Sequence, residues 1–368
     1  MPPVPFHTRA RLAREAIAAA CVRGDDAETF LRRVLAAVGR AVPHDAGGWS
    51  ATDPATMLWT GGIMHGLAPE VGAAVLANEL ADDDVLKFRD LVQRSRPSGV
   101  LSVATGGELA RSPRYRGVYA PHGIGEELRV AITADGACFA HACLLRRTGA
   151  APFAAQEVAL LEAIAKDVAH GLRMAMTLPG RAPLAAAQAP GPGVLTVDDD
   201  LRVLSATGEA EHWLERLAPA YGADELLPHC VLSVLRRARG IALGGGADGP
   251  PRARVRAACG TWVAVHASAL TEHPRTWAVV IEAARPAEVL PLLARAHELT
   301  AREREVFGLL LRGAPDKRIA ERLAISGHTA REHVRNVLRK LGVHSRAELQ
   351  ALALDHVGAE AAFALVDG

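Results

Sequence analysis

Five residues at helical spacing near the C-terminal end carry the groups needed to read the edge of a base pair: Arg331, Glu332, Arg335, Asn336 and Arg339. Arginine can pair two-pronged with guanine, asparagine suits adenine, and glutamate can accept from cytosine. On a wheel turning about 100° per residue Glu332, Arg335, Asn336 and Arg339 fall on one side, with Arg331 and Thr329 at its margins and His328 on the same side. Val334, Val337, Leu338 and Leu341 fall on the other side, at i, i+3, i+4 and i+7, and must face a core. Charge follows the same logic. Between Arg312 and Arg346 nine Lys or Arg stand against three acids, a net +6, while the whole chain is +1. A basic module on an acidic body is what attraction to phosphate requires.

The surrounding sequence supplies elements that could hold such a helix. Thr300 with Glu303 forms a T-x-x-E capping box, Val306, Leu309 and Leu310 make an apolar stripe, and Gly313 ends the helix. Pro315 suits the first turn of a second helix, in which Ile319, Ala320 and Leu323 face inward. A short turn, Ala324-Ile325-Ser326, leads to the third helix, which Ser326 can cap and Gly342 can stop. Ser345 and Glu348 open a fourth helix, with Leu349 and Leu352 on one face. Four short helices in about sixty residues form a compact bundle, and the second and third read as a helix-turn-helix.

From Leu299 to Leu352 the sequence resembles the LuxR family without a gap. The carrying residues include Leu299-Thr300, Arg302-Glu303, Glu305-Val306, Gly313, Lys317, Ile319-Ala320, Leu323, Ser326, Thr329, His333, Lys340-Leu341, Val343, Ser345-Arg346 and Glu348-Leu349. The resemblance implies base contacts from Arg331, Glu332 and Arg335, and phosphate contacts from Lys317, Ser326, Thr329 and Lys340. His328, Asn336 and Arg339 are further candidates on the reading face. It also implies double-stranded DNA as partner, RNA polymerase as another, and a homodimer to which the last helix contributes. This chain departs from the pattern in two places. Ala330 stands where a branched apolar residue is usual, and Glu332 puts an acid on the reading face.

The rest divides at two breaks. Residues 179–193 are rich in Pro, Gly and Ala and read as a linker. Residues 286–298 contain Pro286 and Pro291 but also Val289, Leu290, Leu292 and Leu293, and read as a connecting helix. In block 1–178, Asp25 or Asp26 can cap a helix bearing Phe30, Leu31, Val34, Leu35 and Val38. GGWSAT and TMLWTGG flank an Asp-Pro turn, and a later strand pair meets at Asp135-Gly136. A helix with Val158, Leu161, Ile164, Val168 and Leu172 closes the block. This order resembles a GAF sensory domain over roughly 25–177. Block 194–285 shows two strands around Asp198-Asp199-Asp200, a helix with Ala210, Trp213, Leu214 and Leu217, and three further strands. It resembles a PAS domain, with Thr207 where an Asn is common. The expected fold class is therefore multidomain α+β: two α/β sensory domains, then an all-α four-helix domain over 299–355 and a tail over 356–368. These resemblances imply a small-molecule ligand in the front domains and name no cofactor.

Other classes find less support. VLTVDDD looks like the start of a phosphoacceptor receiver, but no lysine lies between Lys166 and Lys317 to partner a phosphoaspartate. Gly244-Gly245-Gly246 lacks the GK[ST] ending of a phosphate loop. No GxSxG, HExxH or Walker sequence occurs, so the expectation is no catalytic residue and no metal site. His122 and His141, near strands, read as surface or packing residues. The five cysteines show no CxxC and read as reduced thiols of a cytoplasmic protein. No stretch spans a bilayer, and arginines interrupt the apolar residues of the first twenty, unlike a secretory signal. Two alternatives stay open: an enzyme or nucleotide-binding protein with a helical tail, and a regulator whose front domains only dimerise.

Overall fold

The computed structural model describes residues 4–81, 83–177, 190–217, 227–244, 249–257, 259–271 and 273–357. Two helices come first, α1 (Phe6–Cys21) and α2 (Ala27–Ala41). Of the two candidate caps for α2, Asp26 serves: its Oδ1 accepts from Thr29 N at 2.8 Å. Phe30, Leu31, Val34 and Val38 are buried as their spacing requires, and Leu35 is half-buried. The pattern does not announce α1, because arginines break up its apolar residues; Ala13, Ile17 and Ala20 bury its inner face.

The first sheet is antiparallel throughout. β1 (Ala46–Thr52) and β2 (Trp59–His65) form the expected hairpin around Asp53-Pro54. Then come α3 (Pro69–Ala81), α4 (Phe88–Leu91), β3 (Ser98–Val100), α5 (Leu101–Ala104), β4 (Ile124–Ala134) and β5 (Ala137–Arg147), in spatial order β2-β1-β5-β4-β3. Asp135 and Gly136 join β4 to β5 with φ of +51° and +72°. Two successive positive φ values are what a tight turn between right-twisted strands needs. α6 (Ala155–Thr177) packs with α1 and α2 over one face, where Trp49, Val130 and Leu144 meet Phe30, Ile164 and Val168. Gly171 lets the Phe30 ring lie against α6, since a Cβ there would stand 2.1 Å from Phe30 Cζ.

A second five-stranded antiparallel sheet comes next, with β6 starting where the linker was expected to end. Its strands are β6 (Gly193–Asp198), β7 (Val203–Ala206), β8 (Arg252–Arg256), β9 (Trp262–Leu270) and β10 (His273–Ala283), in the order β7-β6-β10-β9-β8. α7 (Gly208–Arg216) is capped by Thr207, whose Oγ1 accepts from Ala210 N at 3.3 Å. α8 (His229–Ala242) lies on the sheet and also touches α3 and β2. Residues 179–189 of the linker, and Gly245 and Gly246, lie outside the described residues.

Side chains tie the two sheets together. Arg254 forks onto Asp53, with Nε–Oδ2 at 2.8 Å and Nη2–Oδ1 at 2.6 Å. Leu58, from the β1–β2 loop, is fully buried in the core of the second sheet. α9 (Pro286–Ala296) is the connecting helix, burying Val289, Leu292 and Leu293. Four more helices come last among the described residues: α10 (Ala301–Leu311), α11 (Asp316–Arg322), α12 (Gly327–Lys340) and α13 (Arg346–Val357). The molecule is thus a mixed α/β protein with two sheets and a C-terminal helical domain. Its five cysteines form no disulfide, and Cys138 and Cys230 are buried.

Candidate nucleic-acid interface

The helix that carries the expected reading residues is α12, and its surroundings fix it at both ends. At its start Ser326 Oγ accepts from Thr329 N at 3.1 Å and lies 2.9 Å from Thr329 Oγ1. Ala324, in the turn before it, takes a positive φ of +50°. Below it, Thr300 and Glu303 complete the capping box of α10, with Thr300 N donating to Glu303 Oε2 at 2.8 Å. Pro315 stands one position earlier than the first turn and is the extended residue that precedes α11. Gly313, at φ +71°, makes the left-handed stop that its type allows.

α12 divides as the wheel requires. Val334, Val337 and Leu341 are buried and Leu338 is half-buried against α10 and α11. Ala330 is fully buried, so the small residue at this departure from the LuxR pattern sits in the core of the bundle. Opposite, Arg331, Glu332, Arg335 and Arg339 are exposed and Asn336 is half-exposed. Arg331 Nε donates to Gly327 O at 3.2 Å. Among the described residues, none of Arg331, Arg335 and Arg339 is ion-paired within the chain. Lys317, Ser326 and His328 are exposed, and Thr329 and His333 are half-buried. The side chains at the start of α12 and the exposed row along it therefore lie on one accessible surface, where a helix N-terminus adds its own attraction for phosphate.

One residue does not fit its expected role. Lys340 turns inward: its Nζ lies 2.6 Å from Glu303 Oε2 and 3.0 Å from Glu298 O. A lysine so held is a brace between α12 and the start of α10 rather than a phosphate contact, and His297 Nδ1 lies 3.1 Å from its backbone oxygen. Burial raises the Glu303 carboxyl, but hydrogen bonds from Lys340 and Thr300, with the lysine's charge, outweigh it and hold the group below the usual carboxylate range. Arg346 is similarly engaged, with Ala314 O and Asp316. In α13 the expected apolar pair splits: Leu349 is buried beneath α9 and α10, and Leu352 is half-exposed.

No group of His, Cys, Asp or Glu among the described residues is arranged to hold a metal. His141 is buried and stacked on Phe88, and His122 is exposed, so both have packing or surface positions. Among the described residues no helix is long and apolar enough to cross a membrane.

Known proteins match the same segment. The family model of bacterial regulatory proteins, luxR family, matches residues 297–353. The transcriptional regulatory protein MctR of Rhizobium johnstonii is 47% identical over 58 residues, 16% of this chain and 27% of that protein. The spore germination protein GerE of Bacillus subtilis is 50% identical over 50 residues, 14% of this chain and 68% of that protein. The chain thus spans about a quarter of MctR but two thirds of GerE. A solved complex of Vibrio cholera VqmA with ligand and DNA is 22% identical, covering 46% of this chain and 84% of that one, at a TM-score of 0.21, too low to add to the assignment. By its C-terminal helices and by the GerE match, the chain belongs to the LuxR family of bacterial regulatory proteins.

Proposed function

We propose that this protein is a cytoplasmic, dimeric transcription regulator that places α12, over residues 329–341, in the major groove of DNA. The observation that carries the reading is the two-sided character of α12: Val334, Val337 and Leu341 are buried while Arg331, Glu332 and Arg335 stand in the open. Arg331, Glu332 and Arg335 read bases, Arg339, Asn336 and His328 flank them, and Lys317, Ser326 and Thr329 meet phosphates. Glu332 repels phosphate, so its place on this face is best used as an acceptor from cytosine.

We divide the chain into a GAF-like domain to residue 178, a linker, a PAS-like domain over 194–285, the connecting helix, the DNA-binding domain over 299–355 and a tail. Support for the two front assignments comes from strand order: each sheet is antiparallel, with a hairpin of its first two strands at one edge. In this reading the front domains pair two copies and sense a small molecule, and the ligand acts by shifting which dimer geometry is populated. RNA polymerase is the partner that the bound dimer meets.

Selection from a pool of random duplexes with the full chain tests this. An imperfect palindrome with half-sites about one helical turn apart is expected. Recovery of unenriched sequence, or of a single unrepeated half-site, overturns the dimeric DNA-reading model.

A further inference from the structure

A cavity of about 570 Å³ opens between the two sheets, within the size range of small-molecule sites and at the kind of inter-domain seam they favour. Its walls are largely apolar, with Leu31, Phe139, Leu172 and Met176 from the first unit facing Val255 and Trp262 from the second. One charged group on that second wall lacks the counter-ion expected of it. β8 presents Arg252, Arg254 and Arg256 on one face, since side chains alternate along a strand. Arg252 is paired with Glu288, and Arg254 is forked onto Asp53. Arg256, the one of the three nearest the end of α6, has no carboxylate among the described residues. Its Nε donates to Gly260 O at 3.1 Å and its Nη1 to Ala175 O at 3.3 Å. Burial lowers its affinity for its proton, as expected of a cation without a counter-ion.

Trp262 stands directly opposite Arg256 in the β8–β9 ladder, so both side chains leave the sheet on the same face. Trp262 is 3% exposed, and its Nε1 donor is buried without a hydrogen-bond acceptor among the described residues. A guanidinium without an acid on an apolar wall is matched by one kind of guest, an anion with an apolar body; the indole N–H beside it is shut off from the cavity. The two acids that also line the opening are already engaged: Asp26 caps α2 and Glu28 pairs with Arg32.

We propose that the cavity binds a small amphipathic monoanion, an aryl or alkyl carboxylate or its sulfonate analogue, with its charged end on Arg256 and its apolar body against α6. This deepens, and rests on, the sensory reading of the front domains. The guest would lie against Leu172 and Met176, in the turn of α6 that contains Arg173. Arg173 reaches Asp135 at 2.6 Å and also Glu298, three residues before α10 begins. Trp262 packs in the same core as α9 and the DNA-binding helices. The site therefore touches the joint that sets the position of the DNA-binding domain.

The test uses the full chain and two fluorescent probes of nearly the same body, anilinonaphthalene sulfonate with the anion and phenylnaphthylamine without it. The parent should bind the sulfonate at least about tenfold more tightly, and decanoate should displace it. Arg256→Gln should remove that preference and leave the neutral probe's affinity unchanged. Gly61 lines the cavity, and a Cβ there meets no atom within 4 Å, so Gly61→Leu can enter the space without a backbone clash. It should weaken both probes, which keeps the idea testable if Arg256→Gln does not fold. Equal affinity of the parent for the two probes, a sulfonate affinity unmoved by Arg256→Gln, or binding indifferent to Gly61→Leu each overturns the proposal. The sensory reading fails separately: saturating decanoate that leaves the affinity for the selected duplex unchanged would sink that reading while the binding result stands.

Discussion

The same residue type has opposite fates at the two ends of this molecule. In the first sheet unit, Arg114 and Arg129 are fully buried around a single carboxylate. Arg114 Nη2 lies 2.8 Å from Glu127 Oε2, Arg129 Nε lies 2.9 Å from Glu127 Oε1, and Tyr119 OH donates to the same oxygen at 2.6 Å. Glu79 takes Arg129 Nη1 at 2.7 Å, and Asp84 accepts from Arg114 N at 2.7 Å. On α12, Arg331, Arg335 and Arg339 are exposed, with no acid of the chain bonded to them among the described residues. A buried charge survives because its partner is supplied internally. In the proposed function, the exposed row on α12 meets phosphate and base edges instead.

The contrast breaks most visibly at Glu127. Burial raises this carboxyl, but Arg114 and Arg129 outweigh it and hold it down at about 2. Glu127→Gln leaves two buried guanidinium groups facing a neutral amide, a loss expected to cost about 3–5 kcal/mol. Denaturant unfolding of the full chain should show the front transition move by that amount while the C-terminal helices keep theirs. A change under about 1 kcal/mol would mean that the network is held by packing rather than by charge.

Acid probes the same interior with the opposite sign of group. Burial lowers His229 to about 3 and pushes His141 well below its usual range. Unfolded, each takes a proton near pH 6.5. The unfolded state therefore binds more protons below that pH, and stability falls as pH drops from about 6.5 towards 3. The expected slope is about 1.4 kcal/mol per pH unit for each such histidine. His229→Gln should flatten the slope in urea titrations between pH 6 and 4, and an unchanged slope would remove the histidine from the account.

Arg335→Ala should act the other way round: about 1–3 kcal/mol lost in binding the selected duplex, relaxed preference at one base position, and stability within about 0.5 kcal/mol of the parent. Unchanged base preference, measured by the same duplex selection, would place the reading face elsewhere on α12.

This division also explains what could be read from residues in order. The C-terminal helices were legible almost completely, because capping pairs such as Thr300 with Glu303 and the stripe from Val334 to Leu341 are local and their spacing carries the geometry. The hairpins at Asp53-Pro54 and Asp135-Gly136 were legible for the same reason. The segment between β2 and β4 was not. Glu79, Arg114 and Glu127 are far apart in sequence, and polar residues on a strand normally signal solvent, so their mutual burial appears only when the chain is folded. The cavity beside Arg256 is equally hidden, since its walls lie some two hundred positions apart, as the Asp53–Arg254 pair shows.

The finest comparison sets two lysines of the DNA-binding domain against each other. Both match the LuxR pattern, yet Lys317 is exposed and Lys340 is folded onto Glu303 and Glu298. Lys317→Ala should weaken binding about equally on every duplex and reduce the slope of log affinity against log salt by about 1, because one counter-ion fewer is released. Lys340→Ala should leave that slope alone and cost stability instead. The pair is partly open to solvent, so the loss should be at most about 1 kcal/mol. Its pH dependence is distinctive. The Glu303 carboxyl is held below its ordinary range, so its stabilisation is full above about pH 4.5 and is lost as pH falls through the lowered value. Parent and Lys340→Ala should therefore differ at neutral pH and converge in acid, whereas parent and Lys317→Ala should have the same stability throughout. A salt slope that drops in Lys340→Ala would mean that this lysine swings out to meet phosphate when DNA arrives, and that the brace seen in the free protein is released on binding.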